Sequence, residues 1–265
     1  MRLPFKKSKT VVSVLRLEGI ILSGSRSSQS AINDQIMAPL VEKAFSKGKP
    51  AAVALAVNSP GGSAAQSSLI AARIRRLAGE KKIPVYAFVE DVAASGGYWL
   101  AVAADKIFVD ESSIVGSIGV ISSSFGFHEL LKRSGVERRV HTAGEDKSML
   151  DPFLPEDPKD VERLRQLQQE IHTSFIEHVR KRRGDRIVGE DLFTGRFWTG
   201  SRAVELGLAD GIDHLVPKMK EEYGDKVKFK VYAKKRKLFS PFGSQVADSL
   251  VTAVENRLMW SRYGL

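Results

Sequence analysis

The sequence predicts an α/β fold with a mostly parallel sheet flanked by helices, and three observations carry that prediction. Residues 51–57, Ala-Ala-Val-Ala-Leu-Ala-Val, form an unbroken apolar run behind Pro50. Such a run marks a strand buried on both faces of a parallel sheet. A second run, residues 85–89, follows one helix-length later. Each run leads into a glycine-bearing turn, Asn58-Ser59-Pro60-Gly61-Gly62-Ser63 and Ser95-Gly96-Gly97. Strand, glycine turn and helix in alternation are what a parallel sheet with crossover helices requires. Both turns then fall on the carboxyl edge of the sheet, where open α/β sheets place their sites.

Each element follows in order. Residues 11–21 partly alternate and are rich in β-branched side chains, which predicts a strand. Residues 23–30 are a polar loop, and 32–45 carry Ile36, Leu40, Val41 and Ala44 at helical spacing. A helix over 64–78 follows the first turn. The stretch after Ser95, to Asp105, is small and apolar, a helix that faces water on no side. Residues 106–109 make a short strand, and 112–117 turn into Ile118-Gly119-Val120-Ile121. Then come a short helix over 127–134, a strand over 138–142 and a loop over 144–153 stiffened by Pro152. A long amphipathic helix covers 158–183, with Val161, Leu164, Leu167, Ile171, Phe175 and Val179 on one stripe. Residues 201–206 form a short helix, 227–233 a last strand and 240–262 a terminal helix. The chain thus reads as a basic N-terminal segment (1–9), a main domain (10–235) and a C-terminal helical extension (236–265).

Composition removes several function classes. The 265 residues suffice for a full core, and 43% hydrophobic with 27% charged residues is ordinary for a globular chain. With no cysteine, disulfides, thiolate catalysis and cysteine-based metal sites are excluded. The net charge of +10 gathers at Lys6-Lys7-Ser8-Lys9, residues 180–183 and residues 234–237, without the interleaved aromatics used for base stacking. That pattern favours solvated faces with a mild attraction to anionic membrane over a nucleic-acid groove. No apolar run reaches the ~18–20 residues of a spanning helix. Arg16 and Glu18 interrupt the first apolar run and spoil it as a signal-peptide core.

Ser95 is the candidate nucleophile. It stands at the first turn of a buried helix, where unpaired N–H groups can stabilise negative charge, beside glycines that admit another backbone. An N-cap serine with packing glycines accounts for the same residues. A nucleophilic serine needs a base and an oxyanion hole, and no G-x-S-x-G elbow surrounds this one. Of His128, His141, His172, His178 and His214, only His141 is placed as a partner, and no single acid orients it. A lysine base is the other option. It must be neutral, which requires desolvation to bring an ammonium's ordinary pKa of about 10.4 towards the working pH. Lys147, among Glu145, Asp146 and Asp151, reads from local sequence as a surface ion-pair lysine.

Four segments in order change the balance: residues 58–63; Ala94-Ser95-Gly96-Gly97-Tyr98-Trp99; Gly116-Ser117-Ile118-Gly119-Val120; and residues 144–153 around Lys147. Together with 195–200 and 205–210 they resemble the bacterial signal peptide peptidase A family of serine peptidases, in its short, single-copy form. The similarity covers about residues 10–215. It implies the Clp protease/crotonase-like fold, with repeated β-β-α units. It also implies Ser95 as nucleophile, Lys147 as general base, Ser117 as the group orienting the lysine, and the N–H groups of Gly62 and Gly96 as oxyanion hole. The implied reaction is hydrolysis of hydrophobic peptides, such as released signal peptides, through an acyl-enzyme, with no metal and no cofactor. Ring-forming homo-oligomers, with serine and lysine shared between subunits, are a further implication. Tyr98, Phe125 and Phe153 are expected to wall the substrate site.

The chain departs from the family pattern in showing no N-terminal membrane anchor. The expectation is a bacterial protein, cytoplasmic or peripheral to the inner membrane. The basic N-terminus and terminal helix could touch an anionic surface, or that helix could pack on a neighbouring subunit. Two rivals remain: a crotonase-type acyl-CoA enzyme, for which paired glycine turns also serve, and a non-catalytic membrane-associated scaffold.

Overall fold

The structure, a computed structural model, describes residues 10–23, 31–189, 191–234 and 257–264. The chain divides into two compact units, Met1–Ile118 with Phe175–Leu265, and Gly119–Ser174.

The larger unit is built on an eight-stranded sheet. Its strands are β1 (Val11–Glu18), β2 (Ala52–Ser59), β3 (Val85–Ala94), β4 (Lys106–Val109), β5 (Ile114–Gly116), β6 (Phe197–Thr199), β7 (Gly211–Ile212) and β8 (Lys228–Tyr232). The order is β6-β5-β3-β2-β1-β8, with β4 on β3 and β7 on β4. Among the described residues every pairing is parallel except β5 with β6. The apolar run of β2 is buried on both faces, as its composition predicts. Leu15, Leu17, Val53, Leu55, Val57 and Ala87 point to one core, shared with residues of α1 (Asp34–Ser46), α2 (Ala64–Lys81) and α3 (Gly96–Ala101). Their neighbours Val12, Val14, Ala54, Ala56, Tyr86 and Phe88 point to a second, with Met219 of α7 (Leu215–Tyr223). The period-2 alternation of strand side chains generates both layers.

β3 is longer than its apolar run because it changes neighbours part-way. Residues Tyr86 to Val89 pair with β4, whereas Val92, Ala93 and Ala94 pair with Ile114, Val115 and Gly116 of β5. The switch carries the end of β3, and hence Ser95, alongside Gly116.

Three local expectations change. Residues 112–117, read as a turn, contain a strand, β5 at Ile114–Gly116. β6 and α7, whose sequence signals are weak, add two elements that the sequence does not predict. Residues 138–142 form no strand; no strand lies in their unit for them to pair with, and Arg138 instead binds Asp151 at 2.6 Å. The predicted terminal helix lies mostly outside the described residues; 257–261 are helical.

The smaller unit holds α4 (His128–Arg133), a 3-10 turn (Glu145–Ser148) and the beginning of α5 (Pro158–Arg183), whose bounds match the predicted helix. Not one described residue in this unit is buried. Along α5, Leu167 and Ile171 of the apolar stripe are 37% and 41% exposed, whereas Phe175 and Val179, in the larger unit, are 2% and 0%. The α6 helix (Gly200–Glu205) completes the set.

Candidate active site

Two turns meet at the carboxyl edge of the larger unit's sheet. The first follows β2. Gly61 there has φ +102°, and a Cβ on it would lie 2.8 Å from each of Ala94 O, Gly96 N and Ser95 Cβ. A Cβ on Gly97 would come within 2.3 Å of Ser59 O. The backbones after β2 and β3 are thus in direct contact, and only glycine permits it. A Cβ on Gly96 would lie 3.3 Å from Gly62 N, so the backbones of the two glycines adjoin. Among the described residues, neither the Gly62 nor the Gly96 N–H has a hydrogen-bond partner.

Ser95 stands where these turns meet, with φ 52° and ψ −122°. A side-chain-bearing residue held there costs about 1–3 kcal/mol and persists only where its surroundings over-determine it. Here they do. Its N–H donates to Gly116 O at 2.8 Å and its carbonyl accepts from Trp99 N–H at 3.0 Å. The hydroxyl makes no capping bond to α3, so the capping role that the sequence left open is unfilled. The side chain is partly exposed, ahead of a helix whose six residues are all buried.

Ser117 follows the Gly116 that holds Ser95. It too has a left-handed φ of 52°, its N–H donates to Arg196 O at 2.7 Å, and its hydroxyl accepts from Tyr263 Oη at 3.4 Å. The Tyr263 ring packs edge-on against Phe197 at 5.2 Å and beside Val92 and Ala94. Sequence reasoning gave Tyr263 no part near Ser117.

The larger unit therefore brings together Ser95, Gly62, Gly96 and Ser117. Lys147 belongs to the smaller unit, where it is exposed on the 3-10 turn and enters no ion pair among the described residues. Its acidic neighbour Asp151 is engaged by Arg138 and by Phe153 N–H, so that carboxylate is directed elsewhere. His141 is exposed and forms no described hydrogen bond or ion pair, and no acid orients it. His214 pairs with Asp110 at 3.0 Å and His128 with Glu129 at 3.5 Å.

Tyr98 corrects an expectation. It is fully buried with its hydroxyl donating to Leu208 O at 2.8 Å, and burial raises its pKa; it braces the core and walls no substrate surface. Phe125 and Phe153 are exposed in the smaller unit, both tilted against Phe127 at 6.3 and 5.6 Å. No cluster of three or more metal-ligating side chains occurs among the described residues.

The sheet with its paired glycine turns defines a protein of the Clp protease-like α/β class. A mutant of the 1510-N membrane-bound stomatin-specific protease superposes on it with TM-score 0.51 at 15% identity, covering 86% of this chain and 99% of that one. The family follows from sequence. The model of "Peptidase family S49" matches residues 78–224, and the "Probable protease SohB" of Haemophilus influenzae is 32% identical over 252 residues, 94% of this chain and 68% of that protein. The chain belongs to peptidase family S49, the serine peptidases that include signal peptide peptidase A. A "Putative signal peptide peptidase SppA" of Enterococcus faecium is 36% identical over 166 residues, 61% of this chain and 47% of that one. The "Na(+)/H(+) antiporter NhaA" of Brucella melitensis is 46% identical over 278 residues; the match takes in 98% of this chain but only 38% of that longer protein. Among the described residues no helix is long and apolar enough to cross a membrane.

Proposed function

We propose that this chain is a serine endopeptidase in which Ser95 is the nucleophile and Lys147 the general base. The observation that carries the reading is the strained, uncapped Ser95 beside the unpartnered N–H groups of Gly62 and Gly96. The Ser95 hydroxyl attacks the peptide carbonyl carbon while the Lys147 amine takes its proton. The two N–H groups receive the oxyanion of the tetrahedral intermediate, where preorganised donors give their largest return. Collapse expels the amine, protonated by Lys147, and leaves an ester on Ser95. Water, deprotonated by the same lysine, then releases the acid. The Ser117 hydroxyl orients the lysine amine. Substrates are extended hydrophobic peptides such as released signal peptides, which fits the naming of the Enterococcus relative.

Assembly is part of this proposal. A unit of 56 residues (119–174) with no buried residue has no core to stabilise its exposed Phe125, Leu130 and Ile171. We infer that a second copy of the chain covers them and that the Ser–Lys pair is completed in a homo-oligomer. The match within a Brucella protein named as an antiporter, with the basic segments of this sequence, favours work at the inner membrane's cytoplasmic surface.

Cleavage of a signal-peptide-derived hydrophobic peptide by wild type and Lys147→Ala tests the base. The expected result is a fall on the order of 10³-fold or more in kcat for the variant. Equal, measurable rates would refute the lysine, and no cleavage by either protein would favour the scaffold.

A further inference from the structure

The short helix behind Ser95 is held from its far end, and the groups that hold it have no part in the chemistry described so far. A helix leaves its last carbonyls without intrahelical donors. At the end of α3 (Gly96–Ala101) the carbonyls of Tyr98, Leu100 and Ala101 accept from the N–H groups of Val102, Ala103 and Ala104, whereas Trp99 O and the carbonyls of the three residues that follow the helix are taken by side chains from two other helices. From α5, His178 Nε2 lies 3.2 Å from Trp99 O, Arg182 Nε donates to Val102 O at 3.0 Å, and Arg182 Nη2 donates to Ala104 O at 2.7 Å. From α2, Arg75 Nη1 donates to Ala103 O at 3.1 Å. Both arginines also reach Asp105 Oδ1, at 2.8 and 3.1 Å. The other oxygen of Asp105 accepts from Val85 N–H at the start of β3. The Trp99 ring stacks with Phe175, 4.6 Å away, and with His178, 5.2 Å away.

We propose that Arg182, with His178 and Arg75, is a positioning residue for the nucleophile: it fixes the axial setting of α3, and so of Ser95 and the Gly96 N–H at its other end. This rests on the reading of Ser95 as nucleophile. The physical case has three parts. Six helical residues span only about 9 Å, so a shift at one end is delivered to the other with little loss. The cationic guanidiniums stand at the C-terminal end of the helix, where they complement its dipole. One side chain must meet two carbonyls and a carboxylate at once, a task for the rigid fork of Arg and not for the point charge of Lys.

The test measures kcat and KM on a hydrophobic fluorogenic peptide, and the rate of Ser95 labelling by a fluorophosphonate, for the full chain and its variants. Arg182→Ala and Arg182→Lys should both lose about ten- to a hundredfold in kcat and in labelling rate, the scale of a nucleophile misplaced by under 1 Å. Their KM should stay within about twofold, because substrate binding is untouched. His178→Gln, which keeps an N–H donor, should recover most of the activity that His178→Phe loses. A purely structural role predicts instead lowered melting temperature with normal kcat in the protein that remains folded. Wild-type kcat and labelling rate in Arg182→Lys, assayed well below its melting temperature, would overturn the proposal. Should Arg182→Ala fail to fold, Arg182→Lys and the His178 pair still decide it. Failure of the underlying reading looks different, since Ser95 would then go unlabelled in the wild type.

Discussion

Two serines open two helices at the same edge of the sheet, and they are used differently. Ser63 precedes α2 with φ −57° and ψ 117°, and its hydroxyl accepts from Gln66 N–H. Ser95 precedes α3 with φ 52° and ψ −122° and caps nothing. Ser63 does what serine at a helix start ordinarily does, lowering the free energy of the fold by about 1 kcal/mol. Ser95 raises it through backbone strain, and its hydroxyl has no hydrogen-bond partner among the described residues. Such a hydroxyl on a strained backbone beside two unpartnered N–H groups is poorly explained by stability and well explained by chemistry.

Substitutions at the two positions should therefore diverge, beginning with activity. Ser95→Ala is expected to lower kcat by on the order of 10⁴-fold or more with little change in melting temperature, whereas Ser63→Ala should leave kcat unchanged; peptide turnover checks both. Gly61→Ala comes next. Its Cβ would press on Ser95 Cβ and Gly96 N from a backbone with φ +102°, and a displaced nucleophile predicts a loss of about 10²-fold in kcat. Stability then separates the serines by sign. Ser95→Gly removes the left-handed strain and should stabilise by about 1 kcal/mol in chemical denaturation, while Ser63→Gly costs a few tenths and Ser63→Ala about 1 kcal/mol. A destabilised Ser95→Gly would break the comparison.

The smallest effect concerns pH. Burial, reinforced by the charges of Arg182 and Lys181, holds the His178 imidazole below its ordinary range, against the opposing hydrogen bond to Trp99. The unfolded chain then binds a proton that the folded chain refuses. Stability should fall as pH drops below about 6.5, by at most about 1.4 kcal/mol per pH unit from this one group. Denaturation midpoints between pH 7 and 5 should show the slope, and His178→Phe should flatten it.

Much of the fold is legible in the residues. The β2 run and the α5 stripe announce themselves because burial and helical period leave strong patterns, and α5 begins and ends where predicted. What fails is short or non-local. β6 is three residues whose strand character comes from pairing with β5, and residues 138–142 have strand composition but no neighbour to pair with. For the site, Ser95 and its glycines are readable as a turn from their chemistry, yet the left-handed φ that sets Ser95 apart from an ordinary cap is invisible in sequence. The proposal of Lys147 as base rests on the family resemblance, since its local surroundings are those of a surface lysine. The α3 clamp had one signal that went unread: His178 and Arg182 continue the Phe175–Val179 stripe at helical spacing, which faces them towards buried backbone.

The central claim is that Ser95 is a nucleophile that Lys147 activates. Its most direct test is mass spectrometry of the assembled protein after reaction with a fluorophosphonate, with the modified peptide sequenced. The account predicts one adduct per chain, on Ser95, formed far more slowly in Lys147→Ala. No adduct on Ser95, together with undiminished turnover in Ser95→Ala, would contradict it.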